Sequence, residues 1–417
     1  MKKIILVLAF FAVTAFSQSL LGLRYPAGIT YPLSTTSARM GGVGTALKQP
    51  YLVSSLNPAN LGSINHSVYT LSMNMDYVRV TEDDLYVDFS RFSPAFIGFA
   101  FPLGKIGTLA ASFKQNGSNN YSYAEESYLV NSVLNDTISQ IKKFENNNVS
   151  SAWEFGWGME FARKISVGVS YQIGKYKNRI SRSDVLMTTT AVTGLDSIYF
   201  NQSSPAIRGG ILGDFGKLGV GVSVTYPFME DLIMQRSIQN IKKDSKGNFT
   251  SPTLVHEKAV FDTIYRLQFP PSGSLGFSWK ISDRLKTAAD FGLSLWENYW
   301  TDAPALSYEN GELGNAFSVA TGLQFIPQPN LLSSRYFQKV LYSGGFAYRE
   351  LPIAGDYEVS GSVGMGLPLG NRGIFDFSIE TGTRKSKNES SINENFVRVN
   401  FGMSGGQIWK KASNNIY

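Results

Sequence analysis

Residues 152–162 read Ala-Trp-Glu-Phe-Gly-Trp-Gly-Met-Glu-Phe-Ala. In an extended chain successive side chains point to opposite faces. Trp153, Phe155, Trp157, Met159 and Phe161 therefore share one face, and Glu154, Gly156, Gly158 and Glu160 the other. A solvated sheet would fill its second face with Lys, Glu and Thr. Here that face carries glycine and an isolated charge, as in the crowded interior of a barrel. Residues 217–226 repeat the pattern: Leu218, Val220, Val222, Val224 and Tyr226 alternate with Gly219, Gly221, Ser223 and Thr225. The same alternation recurs at 272–281, 286–296, 316–325, 358–370 and 395–404.

These segments run to about 9–13 residues, the length of a tilted strand crossing an outer membrane (~9–11) rather than of an average soluble strand (~5–6). Strands are expected near 66–80, 92–101, 106–116, 151–162, 166–181, 205–213, 217–226, 268–281, 286–299, 315–326, 340–350, 357–369, 373–384 and 395–404. The connections alternate. Short turns fall at 102–105, 163–165, 214–216, 282–284 and 370–373, and longer polar stretches near 81–90, 117–150, 184–200, 227–266, 301–314, 351–356 and 385–393. Short periplasmic turns and long outer loops are the asymmetry of bacterial barrels. The connection 327–339 is long for a periplasmic turn. The expected fold is all-β: a transmembrane antiparallel β-barrel of about 14 strands over residues 66–404, with an N-terminal plug or hatch at 18–65 and a tail at 405–417. Soluble β-sandwiches would show shorter strands and more charge outside, and no repeat of about 40 residues supports a propeller.

The composition agrees. Only 17% of residues are charged, and the net charge of +6 shows no basic stripe interleaved with aromatics, so no nucleic-acid partner is expected. There is no cysteine, and His66 and His256 are the only histidines, so thiolate and histidine-rich metal sites are excluded and no cofactor is expected. Neither histidine stands near a Gly-x-Ser-x-Gly signature, and the reading is not an enzyme. No internal stretch approaches ~18 consecutive apolar residues, so a membrane would be crossed by strands closed into a barrel. At the N-terminus, Lys2 and Lys3 precede the apolar run 4–16, and Ala15-Phe16-Ser17 places small residues where a signal peptidase reads. Residues 1–17 read as an export signal cleaved near Ser17/Gln18, with a membrane anchor as the alternative. The expected location is the bacterial outer membrane.

The next forty-odd residues do not alternate. Ala38-Arg39-Met40-Gly41-Gly42-Val43-Gly44-Thr45-Ala46 is glycine-rich but lacks the Gly-Lys-Ser/Thr ending of a phosphate loop. Small residues let backbone pack closely, as a segment inside a narrow lumen requires. Asn57-Pro58-Ala59 follows, and Asn-Pro is a turn signal.

A small glycine-rich segment, then Asn-Pro-Ala, then about 14 barrel strands resembles the FadL/TodX family of outer-membrane transporters of hydrophobic compounds. The stretch Phe269-Pro270-Pro271-Ser272-Gly273-Ser274-Leu275-Gly276, followed by Ala289-Asp290-Phe291 and Trp296, is similar to the later barrel of that family. PorV-like proteins of the type IX secretion system share the pattern. The residues after Gly405 depart from it, since many such barrels end on the aromatic of the last strand.

The resemblance implies a hatch inside the barrel, with Gly41, Gly42, Gly44, Asn57, Pro58 and Ala59 as its gating residues. It implies passive uptake of long-chain fatty acids or other hydrophobic small molecules. The PorV-like alternative is a barrel that binds secreted protein cargo, with secretion-complex proteins as partners. Either way outer-membrane lipids are partners, as is the barrel-assembly machinery during biogenesis.

Within 124–145 the two-residue period breaks. Val130, Val133, Leu134, Ile138, Ile141 and Phe144 recur at intervals of three and four, which predicts an amphipathic helix in an outer loop. Such a helix either catches ligand at the cell surface, as the resemblance implies, or packs on the barrel rim. Trp153, Trp157, Trp296, Tyr299 and Trp300 read as an interface girdle, with a ligand box as the alternative. The interior charges Glu154, Glu160, Asp290, Asp376, Glu380 and Arg398 must pair or be wetted, as lumen salt bridges or along a path.

Overall fold

A computed structural model describes residues 34–407 except 83–84, 132–135, 163, 187–191, 243–258, 310, 329–334, 371 and 387–391. The proposed signal peptide at 1–17, the first residues of the hatch and His256 lie outside the described residues.

Seventeen strands are described: β1 (Ser67–Glu82), β2 (Leu85–Pro102), β3 (Thr108–Asn131), β4 (Asp136–Ala162), β5 (Ile165–Leu186), β6 (Val192–Asp214), β7 (Leu218–Pro227), β8 (Glu230–Lys242), β9 (Ala259–Gln268), β10 (Ser272–Lys280), β11 (Leu285–Ser294), β12 (Trp300–Thr301), β13 (Ala316–Phe325), β14 (Leu341–Glu350), β15 (Asp356–Leu369), β16 (Gly373–Ser386) and β17 (Ile392–Gln407). Each pairs antiparallel with its neighbour. β7 passes directly to β10 and β11 to β13, and β1 pairs with β17 to close a ring of 14 strands. All 14 strands expected from the alternation are ring strands. β17 runs to Gln407, so residues 405–407 belong to the wall, and the rest of the expected tail lies outside the described residues.

The ring is inside out relative to a soluble protein. Trp153 and Phe155 are about half exposed, at 51% and 50%, while Glu154 between them is buried at 6%. Along β7, Val222, Val224 and Tyr226 are exposed and Ser223 is buried. An exterior of Phe, Val, Leu and Tyr is stable only against hydrocarbon, and closure leaves no strand edge unpaired across it.

Several polar stretches expected as outer loops are instead strand. Residues 117–131 continue β3, residues 136–150 begin β4, and β8 and β9 occupy much of 227–266. β4 alone has 27 residues. At a rise of ~3.3 Å per residue that is on the order of 90 Å, far more than the ~25 Å apolar band of a barrel. The β3–β6 wall therefore stands well above the membrane, and residues 122–126 are exposed on both its faces.

The amphipathic helix expected over 124–145 does not form. Val130 lies in β3, Ile138, Ile141 and Phe144 lie in β4, and Val133 and Leu134 are outside the described residues. The ladder runs unbroken from Gly117↔Ser150 to Asn131↔Asp136, and β5 pairs with the other edge of β4 through Gln140↔Leu186. A helix there would need an apolar surface to cover its stripe. The adjoining strands supply hydrogen-bond partners on both edges of β4, and the run Asn146-Asn147-Asn148 is poor in helix propensity.

The upper half of β6 pairs with β8, β8 with β9, and β9 with β12. This side sheet folds over an apolar cluster of Phe200, Leu232, Leu267, Ala303 and Leu306, with Ile198, Met234, Tyr265 and Tyr299 packed against it. A second cluster joins Leu313, Leu351 and Ile353 to Trp296, Tyr299 and Tyr308. Together they cover part of the mouth. Trp296 and Tyr299 belong to these clusters, so their expected place in an interface girdle is corrected. Trp157, at the short-turn end, is partly exposed and donates its indole N–H to Ile106 O at 2.9 Å, a geometry suited to a membrane boundary.

Candidate functional site

Residues 34–66 touch inward-facing positions of strands around most of the ring. A short helix, α1 (Thr35–Ala38), leads into a turn in which Gly41 and Gly42 have φ of +73° and +97°. Side chains with a Cβ are strained in that region. The turn aims the backbone N–H groups of Gly44 and Thr45 at one carboxylate oxygen of Asp290 on β11, at 2.7 and 2.8 Å. Gly41 N–H donates to Ser362 Oγ at 2.9 Å. Arg39 is buried and pairs with Asp376 on β16 at 3.1 Å, and Thr36 Oγ1 donates to the same carboxylate at 2.6 Å.

Asn57 makes the second attachment. Its Oδ1 accepts from Ala59 N–H at 3.0 Å and caps the 3-10 turn Pro58–Ser63, whose first position suits proline. Its Nδ2 donates to Thr45 O at 2.9 Å and to Ile211 O on β6 at 3.1 Å. One side chain thus ties the two motifs to each other and to the wall.

The wall is shaped to receive them. A Cβ at Gly210 would meet Asn57 Oδ1 and, at 2.9 Å, Pro58 Cδ; one at Gly158 would meet Leu61 Cβ at 2.8 Å; one at Gly322 would meet Met40 O at 2.5 Å; one at Gly364 would meet Arg39 Cβ at 2.7 Å. The glycines of the inward strand faces are where the N-terminal segment comes closest. Every proposed hatch residue lies in this contact zone, and Val130, Ile138, Ile141 and Phe144 of the proposed loop helix lie in the distant upper wall.

Two rows of alternating charge cross the inner wall. Register places Arg349, Glu358, Arg384 and Glu394 side by side on β14–β17. It places Glu380, Arg398, Asp76 and Arg91 side by side on β16, β17, β1 and β2. Arg384 contacts Glu358 at 2.7 Å and Glu394 at 2.9 Å, and Arg398 contacts Asp76 at 2.6 Å and Glu380 at 2.8 Å. Arg349 to Glu380, at 3.7 Å, links the rows, and the Phe396 ring lies under both Arg384 and Arg398. Buried charge is tolerated when each ion is paired and hydrogen-bonded. On the opposite wall Glu154 binds Lys114 at 3.1 Å, Ser170 at 2.6 Å and Arg208 at 3.6 Å, and Arg208 also donates to Ser55 O of the N-terminal segment. Of the expected interior charges, Glu154, Asp376, Glu380 and Arg398 are buried, Asp290 is half-buried and Glu160 is exposed. Sequence reading missed Arg39, Arg208, Arg349 and Arg384. For Arg208, Arg349 and Arg384 the signal was parity on the inward face, but Arg384 borders a stretch read as loop; Arg39 lies in the non-alternating segment, where parity says nothing.

Above the N-terminal segment lies a lumen cavity of about 300 Å³, with Ser55 and Leu56 on it and wall positions such as Ser223, Thr225, Ser274 and Ser318. Beyond it, at the mouth, a cleft of about 400 Å³ is lined by Trp296, Tyr299, Trp300 and Tyr308 with Glu297 and Glu309. Trp296 lines both spaces. Tyr299 and Tyr308 meet edge to face at 5.7 Å. Burial, with Tyr308 and Tyr176 nearby, holds the Tyr299 phenol well above its usual range, so it stays protonated and donates to Leu306 O at 3.1 Å.

A family model described as BamG matches residues 1–413. No curated protein matches the chain. Among solved structures, the chain is similar to the Ralstonia pickettii toluene transporter TbuX at 14% identity and a TM-score of 0.55, covering 89% of this chain and 98% of that one. It is similar to a Pseudomonas aeruginosa FadL homologue at 13% and 0.59, covering 91% and 99%. The Pseudomonas putida toluene transporter TodX matches at 11% and 0.52, covering 94% and 99%. At such identities the likeness is one of fold, and at that level the resemblance to the FadL/TodX family holds.

Proposed function

Starting from a chain that belongs to the BamG family, we propose that its barrel passes small hydrophobic compounds inward across the bacterial outer membrane. The observation that carries this reading is Trp296, one side chain shared by the aromatic cleft at the mouth and the cavity in the lumen. A compact, ring-bearing compound gathers at Trp296, Tyr299, Trp300 and Tyr308, where offset and edge-to-face contacts favour flat apolar groups. It then passes Trp296 into the lumen. The likeness to the toluene transporters TbuX and TodX supports this choice of class.

Long-chain fatty acids fit less well. A chain of ~14 methylenes would gain on the order of 10 kcal/mol in an apolar site. The cavity, at about 300 Å³, is small for such a chain, and Arg208, Arg349 and Glu350 share its lining with Leu56, Leu293 and Phe317. A weakly holding lumen suits passage of a small molecule. In this reading residues 34–66 act as the hatch, with Gly41, Gly42 and Gly44 forming the turn on Asp290 and Asn57, Pro58 and Ala59 the joint on β6. Displacing the hatch opens the way to the periplasm. The test is uptake of radiolabelled toluene by cells with and without the protein. Equal rates in the two strains, and in a strain carrying Trp296→Ala, reject the reading.

A second reading is favoured by the tall β3–β6 wall, which stands free above the membrane and is exposed on both faces at residues 122–126. Such a surface suits contact with another protein. The family name hints at barrel assembly, and the sequence raised a PorV-like cargo-binding role. Under this reading, removing residues 117–148 impairs outer-membrane protein assembly or cargo release while toluene uptake is unchanged.

A further inference from the structure

A further cavity lies outside the lumen, on the lipid side of the wall. It has a volume of about 780 Å³ and sits at the short-turn end of β1, β2, β16 and β17. Tyr69, Phe99 and Phe101 form one bank, and Leu369 and Arg372 of the β15–β16 turn form the other. Between them β17 presents Gly405 and Gly406 as the floor. That floor has to be bare: a Cβ on Gly405 would meet the Tyr69 hydroxyl at 2.8 Å and its ring at 3.0 Å. With no side chain at Gly405, the outer face of β17 is low here, a notch in a wall that elsewhere projects alternate apolar residues.

The notch has a polar end and an apolar end. Tyr69, Phe99, Phe101 and Leu369 are all more than a third exposed, so they face the acyl region of the bilayer. Arg372 stands in the turn, at headgroup level. It is partly buried, and no ion pair among the described residues involves it. Ser67 and Gln407 line the same end. The short-turn rim of the ring as a whole is basic. Lys105, Lys164, Lys217, Arg284 and Lys339 stand at or beside the other turns on this side, against Glu160, Asp214 and Asp283. Asp214 and Asp283 already face Lys48 at 3.4 Å and Lys280 at 2.9 Å.

We infer that this notch binds an anionic phospholipid of the periplasmic leaflet. The phosphate lies on the Arg372 guanidinium, whose planar fork matches two phosphate oxygens. The acyl chains lie along Tyr69, Phe99, Phe101 and Leu369. The site is independent of the lumen, so it holds whether the barrel passes small molecules or serves assembly.

The test is native mass spectrometry of the full-length protein, titrated separately with phosphatidylglycerol, phosphatidylethanolamine and inorganic phosphate. A saturable 1:1 phosphatidylglycerol adduct is expected, weakened on the order of tenfold by Arg372→Gln, the loss of a charge-assisted hydrogen bond. The control Lys105→Gln, in the basic rim but off the notch, should leave it unchanged. Gly405→Val, which drives into the Tyr69 ring, should also weaken it; heat-modifiable migration confirms that the variant barrel is folded. Equal retention of phosphatidylethanolamine with no effect of Arg372→Gln means an ordinary lipid annulus and overturns the proposal. Displacement of the lipid by inorganic phosphate means an anion site without lipid selectivity and does the same. Because the chain has no cysteine, a disulfide between Phe99→Cys and Trp409→Cys would report the chain's own end in the notch, which also rejects a lipid.

Discussion

Replacing Asp290 by alanine should loosen the N-terminal segment while leaving the barrel intact. One carboxylate oxygen accepts from Gly44 N–H at 2.7 Å and Thr45 N–H at 2.8 Å. Hydrogen bonds to a charged group contribute roughly 1.5–3 kcal/mol each, so the two together contribute about 3–6 kcal/mol. Water entering beside the substituted alanine would restore part of this, which leaves a net loss of about 3 kcal/mol. Since 1.4 kcal/mol is tenfold in a population, opening of this joint should rise by on the order of 100-fold. Hydrogen exchange read by mass spectrometry reports it directly: peptides covering residues 39–48 should exchange on the order of 100-fold faster, while ring strands on the far wall, such as β5, keep their protection. Asp290→Asn, which retains an acceptor but not the charge, should fall between. Unchanged exchange at Gly44 and Thr45 would refute the anchor. Equal acceleration of the barrel strands would refute the claim that the segment opens separately from the ring.

Gly210→Val should unseat the other joint, because its Cβ meets Asn57 Oδ1 and Pro58 Cδ; protease cleavage within 55–62 should rise in the folded barrel. Arg384→Met leaves Glu358 and Glu394 buried without their shared cation, a loss of about 3–5 kcal/mol for breaking a buried pair. It should lower the temperature at which the barrel unfolds in detergent, and the added change Glu394→Gln should recover part of that loss. Trp296→Ala removes the side chain common to cleft and cavity, so toluene uptake should rise if the indole is the barrier and fall if it is chiefly the capture surface. No change would remove Trp296 from the path.

Much of the ring was legible in the sequence. A strand's alternation is local: once Trp153 faces outward, Glu154 faces inward, whatever its neighbours do. That is why segments with glycine, serine and single charges on one face could be counted as wall. The turns of the N-terminal segment were legible for a similar reason, since Gly41-Gly42 and Asn57-Pro58 carry their own backbone preferences. The interval of three and four in 124–145 misled because it registers only the chain's own periodicity. Whether strand or helix wins there depends on β5 lying alongside with free hydrogen-bonding groups, and that is not local.

By itself, then, the sequence determined an inside-out chain of about 14 membrane-length strands behind a non-alternating leader. Only the tertiary structure decided which inward residues meet. Asp76 and Arg398 are 322 positions apart, and Thr36 reaches Asp376 across 340. Side-chain parity assigns each to the lumen, but their contact depends on the register of ring closure and on where the leader comes to rest. The same holds for the mouth and the notch. Trp296 divides two spaces, and Gly405 and Gly406 floor a third, only because strands distant in the chain close around them.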